Sequence, residues 1–567
     1  MKAEPFRVEG WFAHLAWFAA TGVLLALAFP LPGWSWLGFV ALAPAAVAVG
    51  GSASPRRVWV TAFVVFTLWF GWMLRWLWPV TGPGVLALAP FTALFPASAL
   101  WAANVATSRG KVPLVLALPV CWVAGEWLRS TQPWGGFGWF LLGHTQGAWT
   151  EREYAMPTAA VASLAGVPAV SLLLASAGAA VASVGLGPSR IRKAAATVTV
   201  ILPLVLALFF VVAFPSIWNA RSFVNVPFAA LQTNNPHSNR VAPTYETYAA
   251  EFRTLAALHR EAAESDPPPA LILWPETIVP GPFNRDEAGL DQSPFAAAAR
   301  ELIEECGVPT VVGGSYGLDA EGSPRHNSAF FVVPGRDDER RHDKVHRVPF
   351  GEYIPGPAWL KALVLDRFSP YDFDYTLTPG VLDEPFKLRI LMESRGRQPP
   401  LDRTLRFATP ICFEDTNPAL TRAMADRGAE ALLNLTTSGW FGRMPTADDP
   451  GGGLAWRSVR AQHLQIASFR SLETGLPTLR AVNTGDSALI TGAGFIRAAL
   501  PSGQPGILRA ELPLPAAGGD TRTLYFRGGY LFAPANAVLA TLLLAFSLLR
   551  GRRAAPANPA PEPAADR

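Results

Sequence analysis

The chain is short of lysine, of cysteine and of charge. Lysine stands only at Lys2, Lys111, Lys193, Lys344, Lys361 and Lys387, in a sequence that otherwise uses arginine. The three cysteines, Cys121, Cys306 and Cys412, lie far apart, which excludes a disulfide framework or a thiolate-held metal cluster. At most one pair could close, and Cys121 sits in an apolar run. Net charge over 567 residues is only +4, and no basic run is long enough for a nucleic-acid face. What fills the space is apolar: 50% of residues are hydrophobic, with 20 Trp and 34 Phe. That balance indicates a membrane protein with a sizeable soluble part.

A bilayer core takes about 20 apolar residues of helix. Such stretches lie near 11–30, 34–50, 58–79, 84–106, 112–129, 158–185 and 195–215, with an eighth near 529–549. Basic residues mark alternate connections: Lys2 and Arg7; Arg56 and Arg57; Arg109 and Lys111; Arg190, Arg192 and Lys193; Arg550, Arg552 and Arg553. The short loops near 30–34 and 80–83 carry none. The positive-inside rule then puts both termini in the cytoplasm and the segment 217–528 across the membrane. The expected domains are a seven-helix transmembrane domain over 1–216, a soluble domain over 217–528, an eighth helix over 529–550 and a disordered, Ala/Pro-rich tail over 551–567. Ala26-Leu27-Ala28 offers a competing signal-peptide reading of the first helix, but cleavage there would break the charge alternation. Arg75 and Glu126 fall at the outer ends of their helices, where snorkelling accounts for them. Trp72, Trp76, Trp78, Trp127, Trp134 and Trp139 share that level as an aromatic belt.

Between 225 and 528 short apolar strands alternate with amphipathic helices, the pattern of a layered α/β domain. VPFAALQTN, PALILWPET, PTVVGGSYG, SAFFVVPG, LRFATPICFED and ALLNLTTSGWFG read as strands and their exits. Three reactive groups fall at strand ends or just beyond, where α/β sheets build sites: Glu276, Lys344 and Cys412. A thiol entering a helix favours thiolate, a carboxylate serves as its base, and an ammonium holds the oxyanion of an attacked carbonyl. Together they make a kit for acyl transfer through a thioester. Each has a plainer alternative: a buried small apolar residue for the cysteine, a turn cap for the glutamate, a solvated loop charge for the lysine. PFGEYIPGP follows Lys344 and, with its glycines and prolines, spends a fixed turn on one carboxylate, Glu352.

These contexts, LILWPET, then Lys344 before VHRVPFGEYIPGP, then PICFED, resemble the carbon–nitrogen hydrolase (nitrilase) superfamily. With membrane helices split seven and one around them, the chain is similar to its membrane-bound apolipoprotein N-acyltransferase family. The resemblance implies a nitrilase-like α-β-β-α sandwich beside a polytopic α-helical bundle of about eight transmembrane helices. It implies a Cys412–Glu276–Lys344 triad, with Glu352 keeping the lysine charged and oriented and with Glu414 and Phe413 as supporting motif residues. It further implies a phospholipid acyl donor, diacylglyceryl-modified lipoproteins as acceptors, no cofactor or metal, and a place in the bacterial inner membrane with a periplasmic catalytic domain. TTSGWFG departs from the family's usual Asn-Asp before Ala-Trp-Phe-Gly, and NNPHSNRVAPTY lacks the expected Trp. GPAWLKALVLDRFSPYDFDY (356–375) is expected to be a membrane-facing arm or a core helix and loop, and TADDPGGG (446–453) a lid or a surface loop. A membrane-tethered hydrolase with the same triad, and a non-catalytic scaffold on the same fold, are the alternatives.

Overall fold

The computed structural model describes residues 7–82, 84–149, 152–185, 223–235, 244–286, 288–317, 324–338, 340–359, 361, 363, 376–393, 400–441, 453–515 and 521–553. The expected seventh membrane helix, the C-terminal tail, and most of the 356–375 and 446–453 stretches lie outside them.

Among the described residues, six long apolar helices pack as a bundle: α1 (Trp11–Ala28), α3 (Pro55–Met73), α4 (Gly84–Ser108), α5 (Leu114–Thr131), α6 (Val167–Gly185) and α11 (Phe532–Arg553), with a short α2 (Ala43–Gly51) among them. The stretches Trp11–Ala28, Gly84–Ser108, Val167–Val184 and Gly529–Gly551 are long and apolar enough to cross a membrane. Small residues let the helices approach closely. A Cβ on Gly125 of α5 would come 3.0 Å from the Ala99 Cβ of α4. α11 returns across more than 300 residues of chain to pack on α5.

The expected 34–50 helix is broken. Ser35–Phe39 is a single 3-10 turn, and α2 begins only at Ala43, with Pro44 in its first turn. Gly38 lies so close to Thr145 that a Cβ would come 2.8 Å from its hydroxyl, so the connection is wedged against the 142–146 turn. The expected 158–185 helix likewise starts as two short turns and is interrupted at Gly166 (φ 77°).

The aromatic belt is only partly a belt. Trp72, Trp78 and Trp134 are exposed, whereas Trp76 and Trp139 are buried, packed on Phe441 and His463. Arg75 stays at the surface over the Trp72 ring. Glu126 does not snorkel: it is buried and accepts from the Trp122 indole (2.9 Å) and Leu142 N (2.6 Å). Arg129, one turn on, donates to the carbonyls of Phe137 and Phe140, both at 3.1 Å. The pair satisfies the backbone of the 137–142 loop where it folds back onto the bundle.

Outside the bundle the described residues form two six-stranded sheets. The first runs β12 (Gly506–Pro515), β1 (Phe223–Gln232), β2 (Ile272–Leu273), β3 (Thr310–Tyr316), β4 (His326–Val332), β5 (Arg340–Asp343). The second runs β11 (Ile496–Ala499), β10 (Ala488–Ile490), β9 (Thr478–Val482), β8 (Ala431–Thr436), β7 (Leu401–Ala408), β6 (Phe386–Met392). Phe228, Leu273 and Phe331 of the first face Phe407, Leu433 and Leu479 of the second across one apolar core. α7 (Tyr245–Ala263) and α8 (Pro294–Cys306) cover the first sheet. α9 (Pro418–Asp426) and α10 (Leu454–Thr474) cover the second, completing an α-β-β-α sandwich. α10 is buried on both faces: Leu464 and Ala467 pack on the sheet, while Ile466, Phe469 and Leu472 join the core of the bundle.

Candidate active site

The first sheet delivers two charges. Beyond β2 the chain stays extended to Glu276, packed so closely on β3 that a Cβ on Gly313 would lie 2.0 Å from the Pro275 carbonyl. Lys344 follows β5, its N–H donating to the Asn327 carbonyl of β4 (2.8 Å). Its side chain is only 1% exposed, and Nζ lies 2.7 Å from Glu352 Oε1 and 3.3 Å from Glu276 Oε1. The Asn327 amide also donates to Glu276 Oε1 (2.8 Å). The other oxygen, Oε2, is buried with no donor among the described residues, and the carboxylate lies close enough to Cys412 for each to shift the other.

Glu352 is held as its turn requires. Phe350 takes φ 62°, the Glu352 N–H donates to the Val348 carbonyl (2.8 Å), and Glu352 Oε2 accepts from Val348 N (2.8 Å). With Oε1 on Lys344, the carboxylate has one oxygen for its own turn and one for the ammonium.

The second sheet delivers the thiol. β7 ends at Ala408, Ile411 pairs with Leu435 of β8, and Cys412 opens a short 3-10 turn, Cys412–Thr416. Cys412 has φ 49°, a left-handed conformation that costs a non-glycine residue about 1–2 kcal/mol. Thr436, next after Leu435 on β8, lies beside the thiol, and among the described residues its hydroxyl has no hydrogen-bond partner.

One carboxylate ties the two sheets together at this point. Glu414 accepts from Ile411 N (2.8 Å), just before the cysteine, and from Val345 N (2.6 Å) and His346 N (3.0 Å), just after the lysine. Phe413 stacks on the His346 ring (5.3 Å, 13°). Asp415 accepts from His463 Nε2 of α10 (2.7 Å) and from Arg480 of β9. The structure thus brings Glu276, Lys344, Glu352 and Cys412 into one cluster, with Glu414 and Phe413 beside it. Asn327, Asp415, His463, Arg480 and Thr436 are additional partners that motif reading did not single out.

The electrostatics follow from burial. Desolvation, with the nearby Glu276 charge, pushes the Cys412 thiol well above its ordinary value, so the resting group is a thiol rather than the thiolate expected at a helix entrance. Burial also raises Glu276, opposed by Lys344 and helped by Glu352. Burial pulls the Lys344 ammonium down, but Glu352, then Glu276, outweigh it and hold the lysine well above its usual value. Against its own burial, Glu414 is held below the usual carboxylate value by His342 and by the backbone donors. Such a site carries a protonated nucleophile, a base with a free oxygen and a permanent cation. It is equipped to attack a carbonyl as the thiol proton moves to Glu276.

The bundle reaches this cluster through its loops. Trp134 packs edge-on against Phe350 (6.2 Å), and Gly135 approaches His346 so closely that a Cβ would lie 2.3 Å from the ring. Trp139 packs on His463 (5.8 Å) and Trp76 on Phe441 (5.1 Å). Among the described residues, no group of three or more His, Cys, Asp or Glu is placed to hold a metal ion.

Residues 21–180 match the family model described as the apolipoprotein N-acyltransferase N-terminal domain, and residues 229–520 match that of carbon-nitrogen hydrolase. The apolipoprotein N-acyltransferase of Geobacter metallireducens is 29% identical over 546 residues, covering 94% of each chain. That of Bordetella bronchiseptica is 30% identical over 586 residues, covering 94% of this chain and 96% of the relative. Among solved structures, a carbon-nitrogen hydrolase from Helicobacter pylori G27 is 17% identical, covers 51% of this chain and 89% of its own, and overlays with a TM-score of 0.33.

Proposed function

The chain belongs to the apolipoprotein N-acyltransferase family, and from that premise we propose that it moves an sn-1 acyl chain from a phospholipid, through a Cys412 thioester, to the amino-terminal diacylglyceryl-cysteine of lipoproteins. The observation that carries the reading is the meeting of the Lys344–Glu276 pair of one sheet with the Cys412 thiol of the other, on the face where bundle loops reach the sandwich.

In the first half-reaction the Cys412 sulfur attacks the ester carbonyl as its proton passes to Glu276. Lys344 and a backbone N–H hold the oxyanion. The C–O bond breaks, the glycerol oxygen takes the proton back from Glu276, and lysophospholipid leaves. In the second, the unprotonated lipoprotein amine attacks the thioester. Glu276 takes a proton from the new C–N centre, the C–S bond breaks, and the thiol is restored. Glu352 keeps Lys344 charged and aimed through both halves; Glu414 holds the cysteine turn against the lysine segment. Both substrates carry long chains, which fits a site served by membrane helices. The same reading assigns 1–216 and 529–550 to the membrane domain, 217–528 to a periplasmic catalytic domain, 551–567 to a cytoplasmic tail, and the bacterial inner membrane as the location, with both termini cytoplasmic.

The test is to give purified protein a phospholipid with an alkyne-tagged sn-1 chain, then a diacylated lipopeptide with a free amino terminus. A hydroxylamine-sensitive label that needs Cys412 and moves to the peptide is expected. A label that passes to water instead would favour a tethered hydrolase, and no label on folded protein would overturn the acyl-enzyme.

A further inference from the structure

The bundle carries a second polar feature, at the end of α3 and α4 away from the sandwich. There Ala53, Ser54, Pro55, Arg56 and Trp59 face Ser98, Trp101 and Arg109 across a groove of about 730 Å³. α3 starts at this end and runs 19 residues before its far end meets the sandwich through Trp76. At 1.5 Å per residue that is about 28 Å, the thickness of a bilayer core. An occupant of the groove is therefore in the opposite leaflet from Cys412 and cannot be the acyl donor bound there.

The groove is cationic: neither of its arginines pairs with a carboxylate among the described residues, although Glu9, next to Val8 on the Gly51 carbonyl, lies at the same end of the bundle. The described carboxylates between residues 7 and 149 are Glu9 and Glu126, and Glu126 is committed to the 137–142 loop. Neither Arg56 nor Arg109 makes an ion pair among the described residues. The adjacent Arg57 is used by the protein: it lies over the Trp11 ring (6.0 Å). Arg56 is left on the groove side. The Arg109 stem is pinned by the last helix, because a Cβ on Gly551 would lie 3.0 Å from its Cδ. Trp59 is fixed by stacking on Phe63 (5.2 Å, 2°) and by donating to Ser98 (3.3 Å). Two arginines beside the indoles of Trp59 and Trp101, at the rim of lipid-facing helices, match one chemistry: a phosphate headgroup with its glycerol and acyl chains alongside.

We propose that this groove binds an anionic phospholipid of the leaflet opposite the catalytic site, as a resident lipid rather than a substrate. Binding is measured in the Cys412→Ala protein, so that no lipid is consumed, by native mass spectrometry in micelles titrated with phosphatidylglycerol or phosphatidylcholine. Retention of phosphatidylglycerol is expected at least about tenfold better than of phosphatidylcholine, given the attraction of each arginine for anionic lipid. Arg56→Gln/Arg109→Gln should lose that preference, while the same double change with Cys412 intact leaves acyl transfer within about twofold. Arg56→Lys/Arg109→Lys, which keeps both charges, should retain most of the preference and guards against misfolding of the glutamine pair. Preference absent in the parent protein, or intact in the glutamine pair, would overturn the proposal. So would thermal stabilisation by inorganic phosphate equal to that by phosphatidylglycerol, because the site would then recognise a free anion rather than a lipid.

Discussion

The two six-stranded sheets are built alike, each with a parallel centre and antiparallel flanks, yet they bring unlike things to the site. The first brings charge: Glu276, Lys344 and, through the turn after it, Glu352. The second brings the thiol and, from the strand beside it, a hydroxyl. Buried charge on the first sheet is balanced within a few ångströms. The nucleophile of the second takes its cation from the first, Lys344, because Arg480 on its own sheet is spent on Asp415, and burial holds the thiol protonated. Reactivity therefore arises only across the sheet–sheet boundary, and Glu414 fixes that boundary by bonding to both sides.

The comparison breaks most completely if the second sheet loses its sulfur. Cys412→Ala should abolish the hydroxylamine-sensitive acyl label while leaving the thermal midpoint close to that of the parent, since a small side chain is lost from a 9%-exposed site. Removing the base from the first sheet is next. Glu276→Gln should lower the rate of acyl-enzyme formation about 10²–10⁴-fold, read as slower labelling by the tagged lipid at unchanged lipid concentration.

Cutting the tie between the sheets tests a different link. Glu414 accepts three backbone N–H bonds, and glutamine can present only one carbonyl oxygen to them. Each N–H left unsatisfied costs about 1–3 kcal/mol, and a displacement of about 1 Å between thiol and lysine costs about 10²-fold in rate. Glu414→Gln should therefore lower both thermal midpoint and labelling rate, unlike Cys412→Ala. The sign with pH also follows. The folded carboxyl of Glu414 is depressed, so its contribution is present above the ordinary carboxylate value and is lost as pH falls through the folded one. Parent protein should lose midpoint on acidification more steeply than Glu414→Gln.

The charge cluster can be sharpened without removing a reacting group. The negative charge of Glu352 is one of the influences raising Glu276, after burial. In Glu352→Gln the acid limb of acyl-enzyme formation should move to lower pH, because Glu276 ionises more readily once that charge is gone. The maximal rate should fall about tenfold as Lys344 loses its shortest bond. A limb that stays put would separate Glu352 from the base altogether.

Legibility in the sequence followed punctuation. Lys344 is conspicuous in an arginine-rich chain, and the turn after it is bracketed by glycine and proline. Glu276 and Cys412 close apolar strands. Those positions can be read because each is marked within a few residues of itself. Asn327, Asp415, His463, Arg480 and Thr436 are not marked: their partners lie 24 to 65 residues away, and only the folded register joins them. β2 is laddered only at Ile272 and Leu273, although backbone bonds to the neighbouring strands run from Ala270 to Trp274. β6 and β12 alternate with period two but carry no motif and are flanked by polar loop sequence. In the bundle, apolar length alone could not foresee the break at 34–50, which depends on Gly38 meeting a turn more than 100 residues later.

An effect of the same order concerns the hydroxyl beside the thiol, and it asks whether the second sheet supports its nucleophile at all. Thr436 is fully buried, and among the described residues its hydroxyl has no hydrogen-bond partner, while it stands close enough to Cys412 to lower the thiol. A hydrogen bond to a charged group contributes about 1.5–3 kcal/mol, and this hydroxyl meets a charge only when Cys412 becomes thiolate. Thr436→Val keeps the shape and removes the donor, so it should slow labelling about tenfold and shift the pH profile of Cys412 alkylation upward. Thr436→Ser restores the donor and should return both toward the parent. If valine leaves the alkylation profile unmoved, the second sheet contributes a nucleophile and no support, and the whole electrostatic burden of thiolate formation rests on Lys344 across the boundary.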